Sequence, residues 1–321
     1  MSTQNYPLVS IRIPTYNSSQ YILETLDSAY TQTYPNIEII ISDDCSTDNT
    51  VEICRKWVDA HKGSGKRIVL LESPVNTGVT GNVKRALEAC KGEWVKGIAG
   101  DDILASTAIE DYMDYVFKHP DVKHLIAKAV HFKGDFLDAS ISKPTPVSLY
   151  LFRDKVTAKC QYNVIRKVFY GSGPTYFAKA SAIREVGGYD ERFPMQEDYP
   201  LFIKMIGKGF KLEYMDRVTV YKRIVETSIQ YDKKQDAVFT KSHVRAVVDY
   251  KYQYRREVLG PLWKILLWYS LWIQNKVISS GNSFKILVSR CWYRLYKLTD
   301  PFLWYGRWFE YKKKQYMPSR K

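Results

Sequence analysis

The chain has 321 residues, of which 45% are hydrophobic and 26% are charged. This composition excludes a disordered or low-complexity protein, and the length favours one catalytic-sized domain with an appendage. The formal charge of +14 indicates an anionic partner, such as nucleic acid, a phosphorylated substrate or an anionic membrane. The five cysteines are widely spaced, and no two of them have the spacing of a zinc site or a disulfide framework.

The first 118 residues alternate between short apolar strands and amphipathic helices. Strands are predicted at Leu8–Ile13, Ile37–Ile41, Arg67–Leu71 and Trp94–Ile98. Helices are predicted at Tyr21–Tyr30, Asp48–Ala60, Gly78–Cys90 and about Ser106–Phe117. This alternation predicts an α/β fold with a doubly wound, mostly parallel sheet flanked by helices, in which ligands bind beyond the carboxyl ends of the strands.

Three of the predicted strands are followed by acidic or aromatic residues. Tyr16 follows the first strand, Asp43–Asp44 the second and Asp101–Asp102 the fourth. The pair at Asp43–Asp44 also suits a βα turn in which Ser46 or Asp48 caps the next helix. Asp101–Asp102 suits a hard cation such as Mg²⁺ or Mn²⁺ that also binds substrate phosphates, and Tyr16 is placed to stack on a nucleotide base.

Three long stretches of the chain carry motifs in a recognisable order. They read VSIRIPTYNSSQYILETLDSAYTQTYPNIEIIISDDCSTDNTVEI (Val9–Ile53), NTGVTGNVKRALEACKGEWVKGIAGDDIL (Asn76–Leu104) and GSGPTYFAKASAIREVGGYDERFPMQEDYPLFIKMIGKGF (Gly171–Phe210). Over about 220 residues the chain resembles the family 2 glycosyltransferases of bacterial surface polysaccharide synthesis, which are inverting enzymes with the GT-A fold. The resemblance implies a GT-A domain at residues 1–235, with a nucleotide-binding half at about 1–118 and an acceptor half at about 119–235.

The resemblance also implies roles for individual residues around a nucleotide-sugar. Thr15 and Tyr16 match the residues that contact the base, and Asp44 matches the carboxylate that accepts a hydrogen bond from a uracil-type imide. Either Lys84 or Arg85 is expected to face the phosphates.

The family pattern places further acids around the sugar. Asp101 is expected near the ribose, and Asp102 is expected to bind Mn²⁺ or Mg²⁺, with Asp101 sharing that cation. Asp198 matches the catalytic base. The residues expected on the acceptor and sugar side are Gly173, Glu197 and Arg223. For Glu197 and Asp198, the competing interpretation is that two acids stand at the positive end of a helix.

Two positions depart from the family pattern. Ala99 stands where many members have an aspartate, so the metal site depends mainly on Asp102. Val225 stands where a histidine is common, so Arg223 would have to supply any phosphate or metal contact from that stretch.

The last part of the chain is basic and aromatic. Residues 241–321 hold 17 Lys and Arg against 4 Asp and Glu, a net charge of +13, and six of the eight tryptophans. Two apolar stripes are predicted there, one of Trp263, Leu267, Trp268, Leu271 and Trp272, the other of Phe284, Leu287, Val288, Cys291, Trp292 and Leu295. The sequence therefore predicts a helical extension at 236–321 that docks on an anionic membrane, with packing on the catalytic body as the alternative.

The opening residues do not resemble a signal peptide, and the longest apolar stretch, Leu262–Ile273, is shorter than a membrane span. We therefore expect a cytoplasmic protein that lies peripherally on the inner face of the cell membrane.

The sequence as a whole favours an enzyme. The expected reaction moves a sugar from a UDP- or dTDP-sugar to a saccharide linked to polyprenyl diphosphate. One alternative is a basic nucleic-acid-binding protein, although the acids at the predicted rim oppose it. The other is a non-catalytic nucleotide-sugar-binding pseudoenzyme, which Ala99 favours and which Asp102 and Asp198 oppose.

Overall fold

The computed structural model describes residues 6–132, 149–167, 173–194, 196–224 and 252–315. These residues fall into two compact units. The first unit contains the described residues of 6–132 and 173–224, and the second contains those of 149–167 and 252–315.

The first unit is built on an eight-stranded sheet. The strands are β1 (Val9–Thr15), β2 (Ile37–Asp43), β3 (Arg67–Glu72), β4 (Trp94–Gly97), β5 (Ile103–Leu104), β6 (His124–Phe132), β7 (Phe177–Lys179) and β8 (Leu212–Arg223), in the order β3-β2-β1-β4-β7-β6-β8-β5. Strands β1 to β4 pair in parallel, which confirms the predicted parallel sheet. In the other half, β7 is antiparallel to β4 and β6, and β5 is antiparallel to β8, while β6 and β8 are parallel.

Helices flank this sheet in the first unit. They are α1 (Ile22–Tyr30), α2 (Thr50–Ala60), α3 (Gly78–Ala89), α4 (Ala108–Lys118), α6 (Ala180–Glu185) and α7 (Asp198–Gly207). In the second unit the helices are α5 (Ala158–Ile165), α8 (Tyr252–Val258), α9 (Pro261–Ser279), α10 (Leu287–Thr299) and α11 (Pro301–Gln315).

The main apolar core lies between one face of the sheet and helices α1 and α4. Ile11 and Ile13 of β1 point into it and have no exposed surface. Phe177 stacks between two aromatic rings, with its centroid 5.1 Å from that of Trp94 and 4.7 Å from that of Tyr112. This packing fixes β4 and β7 next to each other, and the loop after β4 and the turn before β7 carry residues of the candidate site.

The second unit has its own apolar contacts. Leu267 of α9 is buried with Leu259 and Phe302. The carboxylate of Asp300 accepts hydrogen bonds from the backbone N–H of Phe302 at 3.0 Å and from the hydroxyl of Ser270. Asp300 therefore both caps α11 and ties its start to α9.

Residues 149–167 belong to the second unit, whereas the sequence assigned them to the acceptor half of the catalytic domain. Arg166 donates a hydrogen bond to the carbonyl of Val258 at 3.1 Å. The ammonium of Lys167 lies 4.6 Å from the ring centre of Trp263. These long-range contacts attach the segment to the C-terminal helices, and no local pattern in the sequence predicts them.

The exposed apolar face of α9 differs from the predicted stripe. Leu267 is fully buried, and the exposed side chains are Leu262, Ile265, Trp268 and Trp272. On α10, the prediction is closer, because the exposed apolar side chains include Leu287, Val288 and Leu295. Within the described ranges, every helix falls short of the length or the hydropathy that a membrane crossing requires.

Candidate active site

The ends of β2, β1 and β4 meet at one edge of the sheet, as the parallel arrangement predicted. The carbonyl of Thr15 accepts a hydrogen bond from the N–H of Asp44 at 3.0 Å, which joins the first two strand ends. A Cβ added at Gly100 would lie 2.7 Å from the Thr15 hydroxyl, so only glycine permits the β4 loop to approach this closely. The Thr15 hydroxyl is buried and has no hydrogen-bond partner in the described part of the chain, and Tyr16 is 46% exposed beside it.

The carboxylate of Asp44 is almost fully buried against the start of α3. It accepts hydrogen bonds from the N–H of Thr77 at 3.0 Å, the N–H of Gly78 at 2.8 Å and the hydroxyl of Thr77 at 2.6 Å. Its Oδ1 also lies 2.8 Å from a guanidinium nitrogen of Arg85. Asp44 therefore anchors the segment that begins α3. Its predicted contact with a uracil imide stays a prediction.

The neighbouring acids build the turn between β2 and α2, which was the simpler interpretation of this stretch. The carboxylate of Asp43 accepts hydrogen bonds from the N–H and hydroxyl of Ser46. That of Asp48 accepts them from the N–H of Thr50 at 3.0 Å and the N–H of Ser19 at 3.1 Å. The two acids of the Asp43–Asp44 pair thus have separate partners.

On α3, it is Arg85 and not Lys84 that faces the strand ends. The Lys84 ammonium forms an ion pair with Glu191 on the outside of the unit. Consecutive helical residues point about 100° apart, so both could not face the same edge. Of the two basic residues expected at the phosphates, Arg85 is therefore the one at the strand ends, and a phosphate contact by either residue stays a prediction.

Asp101 and Asp102 lie in the loop between β4 and β5. Asp102 is 2% exposed, and its carboxylate accepts a hydrogen bond from the N–H of Arg223 at 3.0 Å. Burial, together with the adjacent charge of Asp101, raises the pKa of Asp102 well above its ordinary value. Burial also raises the pKa of Asp101. A cation bound here would stabilise the ionised forms of both carboxylates, which burial disfavours.

The acidic pair fits a divalent cation that shares its coordination with a substrate. Mg²⁺ and Mn²⁺ are commonly bound by one or two carboxylates plus phosphate oxygens. No group of three or more His, Cys, Asp or Glu side chains gathers as a cation site within the ranges that the structure covers. The exposed side chain of Ala99 adds no third ligand.

The side chain of Arg223 has protein partners at the site. Its guanidinium lies 2.8 Å from a carboxylate oxygen of Glu24 and donates to the carbonyl of Asp101 at 3.2 Å. It also packs 4.5 Å from the ring centre of Tyr21. Arg223 thus supports the acidic loop through both its backbone and its side chain, and its contact with phosphate or metal stays a prediction.

Asp198, Glu197 and Gly173 come together at the start of α7. A Cβ added at Gly173 would lie 2.9 Å from Oδ2 of Asp198, so a side chain there would displace this carboxylate. Burial and the charge of Asp198 raise the pKa of Glu197. The pair therefore favours a single negative charge, which is compatible with one of the two acids acting as a base.

Sequence reasoning missed two buried basic residues beneath the site. Arg12 donates a hydrogen bond to the hydroxyl of Tyr189 at 2.6 Å. Lys96 has no exposed surface, and burial lowers its pKa to about 7. The one available signal was a lysine inside the apolar run of β4.

Comparisons with known proteins agree with this arrangement. The sequence profile of glycosyl transferase family 2 matches residues 10–170. The chain is 27% identical over 233 residues to the Escherichia coli UDP-Glc:alpha-D-GlcNAc-diphosphoundecaprenol beta-1,3-glucosyltransferase WfaP, covering 72% of this chain and 83% of that protein.

Two solved structures have a similar fold. The S. aureus TarS fragment 1–349 in complex with UDP-GlcNAc matches with a TM-score of 0.57 and 18% identity, covering 97% of this chain and 93% of that one. The mannosyltransferase PcManGT from Pyrobaculum calidifontis, in complex with GDP-Man and Mn²⁺, matches with a TM-score of 0.52 and 17% identity, covering 98% of this chain and 77% of that one.

Proposed function

We propose that this chain moves a sugar from a UDP-type donor to a lipid-linked saccharide with inversion at the anomeric carbon. The chain belongs to glycosyl transferase family 2 and is a glycosyltransferase. One observation carries the proposal. Thr15, Asp44 and the Asp101–Asp102 pair stand at the ends of three adjacent parallel strands, where such sheets bind nucleotides.

The donor end of the proposed site is built around Thr15 and Tyr16. The exposed ring of Tyr16 is available to stack on a base, and no residue that the structure describes hydrogen-bonds to the Thr15 hydroxyl. A UDP-type donor is supported by the names of WfaP and of the TarS complex. GDP-mannose is the comparison donor because PcManGT binds it.

In the proposed reaction, Asp198 takes the proton of the acceptor hydroxyl. The acceptor oxygen then bonds to the anomeric carbon as the bond from that carbon to the diphosphate oxygen breaks. A positioned base contributes about 10²–10⁴-fold in rate. A Mn²⁺ or Mg²⁺ ion held by Asp102 and Asp101 would neutralise the leaving diphosphate.

The lipid-linked acceptor is proposed from two independent features. WfaP acts, by its name, on a saccharide carried by diphosphoundecaprenol. The second unit also exposes apolar side chains such as Leu262, Ile265 and Trp268 on α9. The basic side chains of Arg290 and Arg294 on α10 are exposed too. Exposed apolar and basic side chains in one unit suit an anionic bilayer surface, and we propose that this surface is the cytoplasmic side of the cell membrane.

A donor and acceptor assay tests the reaction. The purified 321-residue chain is incubated with UDP-glucose, UDP-GlcNAc or GDP-mannose, with GlcNAc-diphosphoundecaprenol as acceptor and Mn²⁺ or Mg²⁺ present. Asp198→Asn should reduce transfer about 10²–10⁴-fold and leave UDP affinity unchanged. Asp59→Asn, on the exposed side of α2, is the matched control. Near-normal turnover of Asp198→Asn would show that another group acts as the base.

Sedimentation with vesicles tests the membrane proposal. The parent protein should sediment with phosphatidylglycerol vesicles at low salt, and the Leu262→Ser, Trp268→Ser double variant should remain in the supernatant. Leu23→Ser changes a half-exposed leucine of the first unit and is the control. A competing single-stranded oligonucleotide should not bind the protein. If the parent protein remains in the supernatant, the membrane proposal is wrong and the exposed face of α9 has another partner.

A further inference from the structure

Lys96 is an unusual residue for the middle of the first unit. It lies on β4, paired in register with Ile11 of β1 and Phe177 of β7, both of which are fully buried. An ammonium in such surroundings loses its hydration, and this loss has to be offset by hydrogen bonds. A leucine or methionine would fill the same space without that cost.

The Lys96 ammonium is hydrogen-bonded to two backbone carbonyls. It donates to the carbonyl of Gly97 and, at 2.6 Å, to that of Pro174. The Asp102 carboxylate is close enough to favour the charged form of Lys96, whereas Arg12 opposes it. The side chain thus makes a specific link and does not merely fill the core.

The two carbonyls belong to opposite sides of the candidate site. Gly97 ends β4 and leads into the loop that carries Asp101–Asp102. Pro174 lies in a single helical turn, Gly173–Thr175, and a Cβ added at the first residue of this turn would lie 2.9 Å from Oδ2 of Asp198. The same turn is held at its other end by Tyr112, whose hydroxyl donates to the carbonyl of Thr175 at 2.5 Å.

We propose that Lys96 is a positioning residue for sugar transfer, whose buried ammonium holds the Gly173–Thr175 turn in register with the acidic loop. This inference rests on the proposed function. Loss of the link would let the turn move relative to Asp198, while the base-contacting end at Thr15 and Tyr16 would be unaffected. A displacement of about 1 Å at a reacting group lowers turnover by about 10²-fold.

The test compares Lys96→Met with the parent and with Val95→Ala, a core substitution in the same strand that leaves the Lys96 ammonium in place. Lys96→Met should stay folded, because methionine fills the space of the lysine stem and removes the cost of a buried charge, which offsets the loss of a donor for two backbone carbonyls. It should bind UDP normally and turn over about 10²-fold more slowly, with the KM for the donor unchanged. Val95→Ala should melt at a lower temperature and keep its turnover.

Hydrogen exchange gives a readout that does not depend on activity. The N–H of Tyr176 donates to the carbonyl of Gly173 at 3.0 Å and closes the turn. Its exchange should accelerate in Lys96→Met, while exchange in α2 stays as in the parent. Unchanged exchange at Tyr176, or parental turnover of folded Lys96→Met, overturns the proposal. If the parent transfers no sugar, the proposed function fails, and the exchange result still decides the role of Lys96.

A second variant covers failure of the first to fold. Lys96→Gln keeps one N–H donor group. The Tyr176 amide hydrogen of this variant should exchange faster than in the parent and more slowly than in a variant without a donor. If both variants fail to fold, Lys96 is a determinant of the fold alone and the proposal is refuted.

Discussion

Asp44→Asn separates two roles that the same side chain can have. In the structure, the carboxylate anchors α3 through the N–H groups of Thr77 and Gly78, the hydroxyl of Thr77 and the guanidinium of Arg85. In the family pattern, it selects the base of the donor. The substitution preserves the shape of the side chain, removes its charge and converts one acceptor oxygen into a donor.

The expected loss of stability follows from these contacts. In either orientation of the new side-chain amide, its NH₂ group faces an N–H of α3 or the guanidinium of Arg85. At least one buried donor therefore loses its acceptor. Hydrogen bonds to charged groups contribute about 1.5–3 kcal/mol each, and the loss of one with weakening of the others should cost about 3 kcal/mol. Removing a negative charge from the start of α3 adds about 0.3–1 kcal/mol.

Urea unfolding of the first unit, followed through its buried Trp94, measures this free energy. Arg85→Met is the matched control, because it removes the ion pair and leaves the backbone hydrogen bonds, and it should cost less than Asp44→Asn. UDP affinity is measured on the same samples. A loss of stability below about 1 kcal/mol, combined with a fall in UDP affinity of tenfold or more, would refute the anchoring role and support direct base recognition.

Three further predictions concern the acidic loop, a buried glutamate and the aromatic core. Asp102→Ala should weaken Mn²⁺-dependent UDP binding in calorimetry, and full activity of the parent in a chelator would refute the cation site. Glu38 has no exposed surface; burial opposes its charge, but hydrogen bonds from Ser10, Lys91, Arg67 and Gly92 outweigh it and lower its pKa below the ordinary 4.5. The stabilising effect of the Glu38 charge should therefore be complete above the unfolded-state pKa and be lost as the pH falls through the lower folded-state pKa. The unfolding free energies of Glu38→Gln and the parent should consequently converge at acid pH. Phe177→Ala should cost about 3–5 kcal/mol in urea unfolding, because it empties the stack between Trp94 and Tyr112, and a loss below about 1 kcal/mol would contradict that packing.

The sequence by itself determined the parallel half of the sheet and the edge at which the candidate site lies. Strand and helix periodicities are local, and the carboxyl ends of parallel strands meet at one edge whatever packs around them. The proximity of Thr15, Asp44 and Asp101–Asp102 could therefore be predicted from where the strands end. Gly187 and Gly188, which follow α6, both have positive φ angles, as glycines at helix ends commonly do.

The rotation of each helix was decided by the tertiary structure. Lys84 and Arg85 are adjacent in sequence, and only the docking of α3 on the sheet turned Arg85 towards Asp44. Helix α9 is apolar on most sides, so its sequence did not reveal that Leu267 is buried and Trp268 exposed. Which face of such a helix is buried depends on its neighbours.

Contacts between residues distant in sequence also required the tertiary structure. Residues 149–167 belong to the second unit, where Arg166 donates a hydrogen bond to the carbonyl of Val258. Lys96 and Pro174 lie 78 residues apart, and in a strand pattern a lysine predicts a solvent-facing position. The cost of burying its ammonium is offset because the fold brings two carbonyl oxygens to it, and no local sequence pattern predicts a contact between such distant residues.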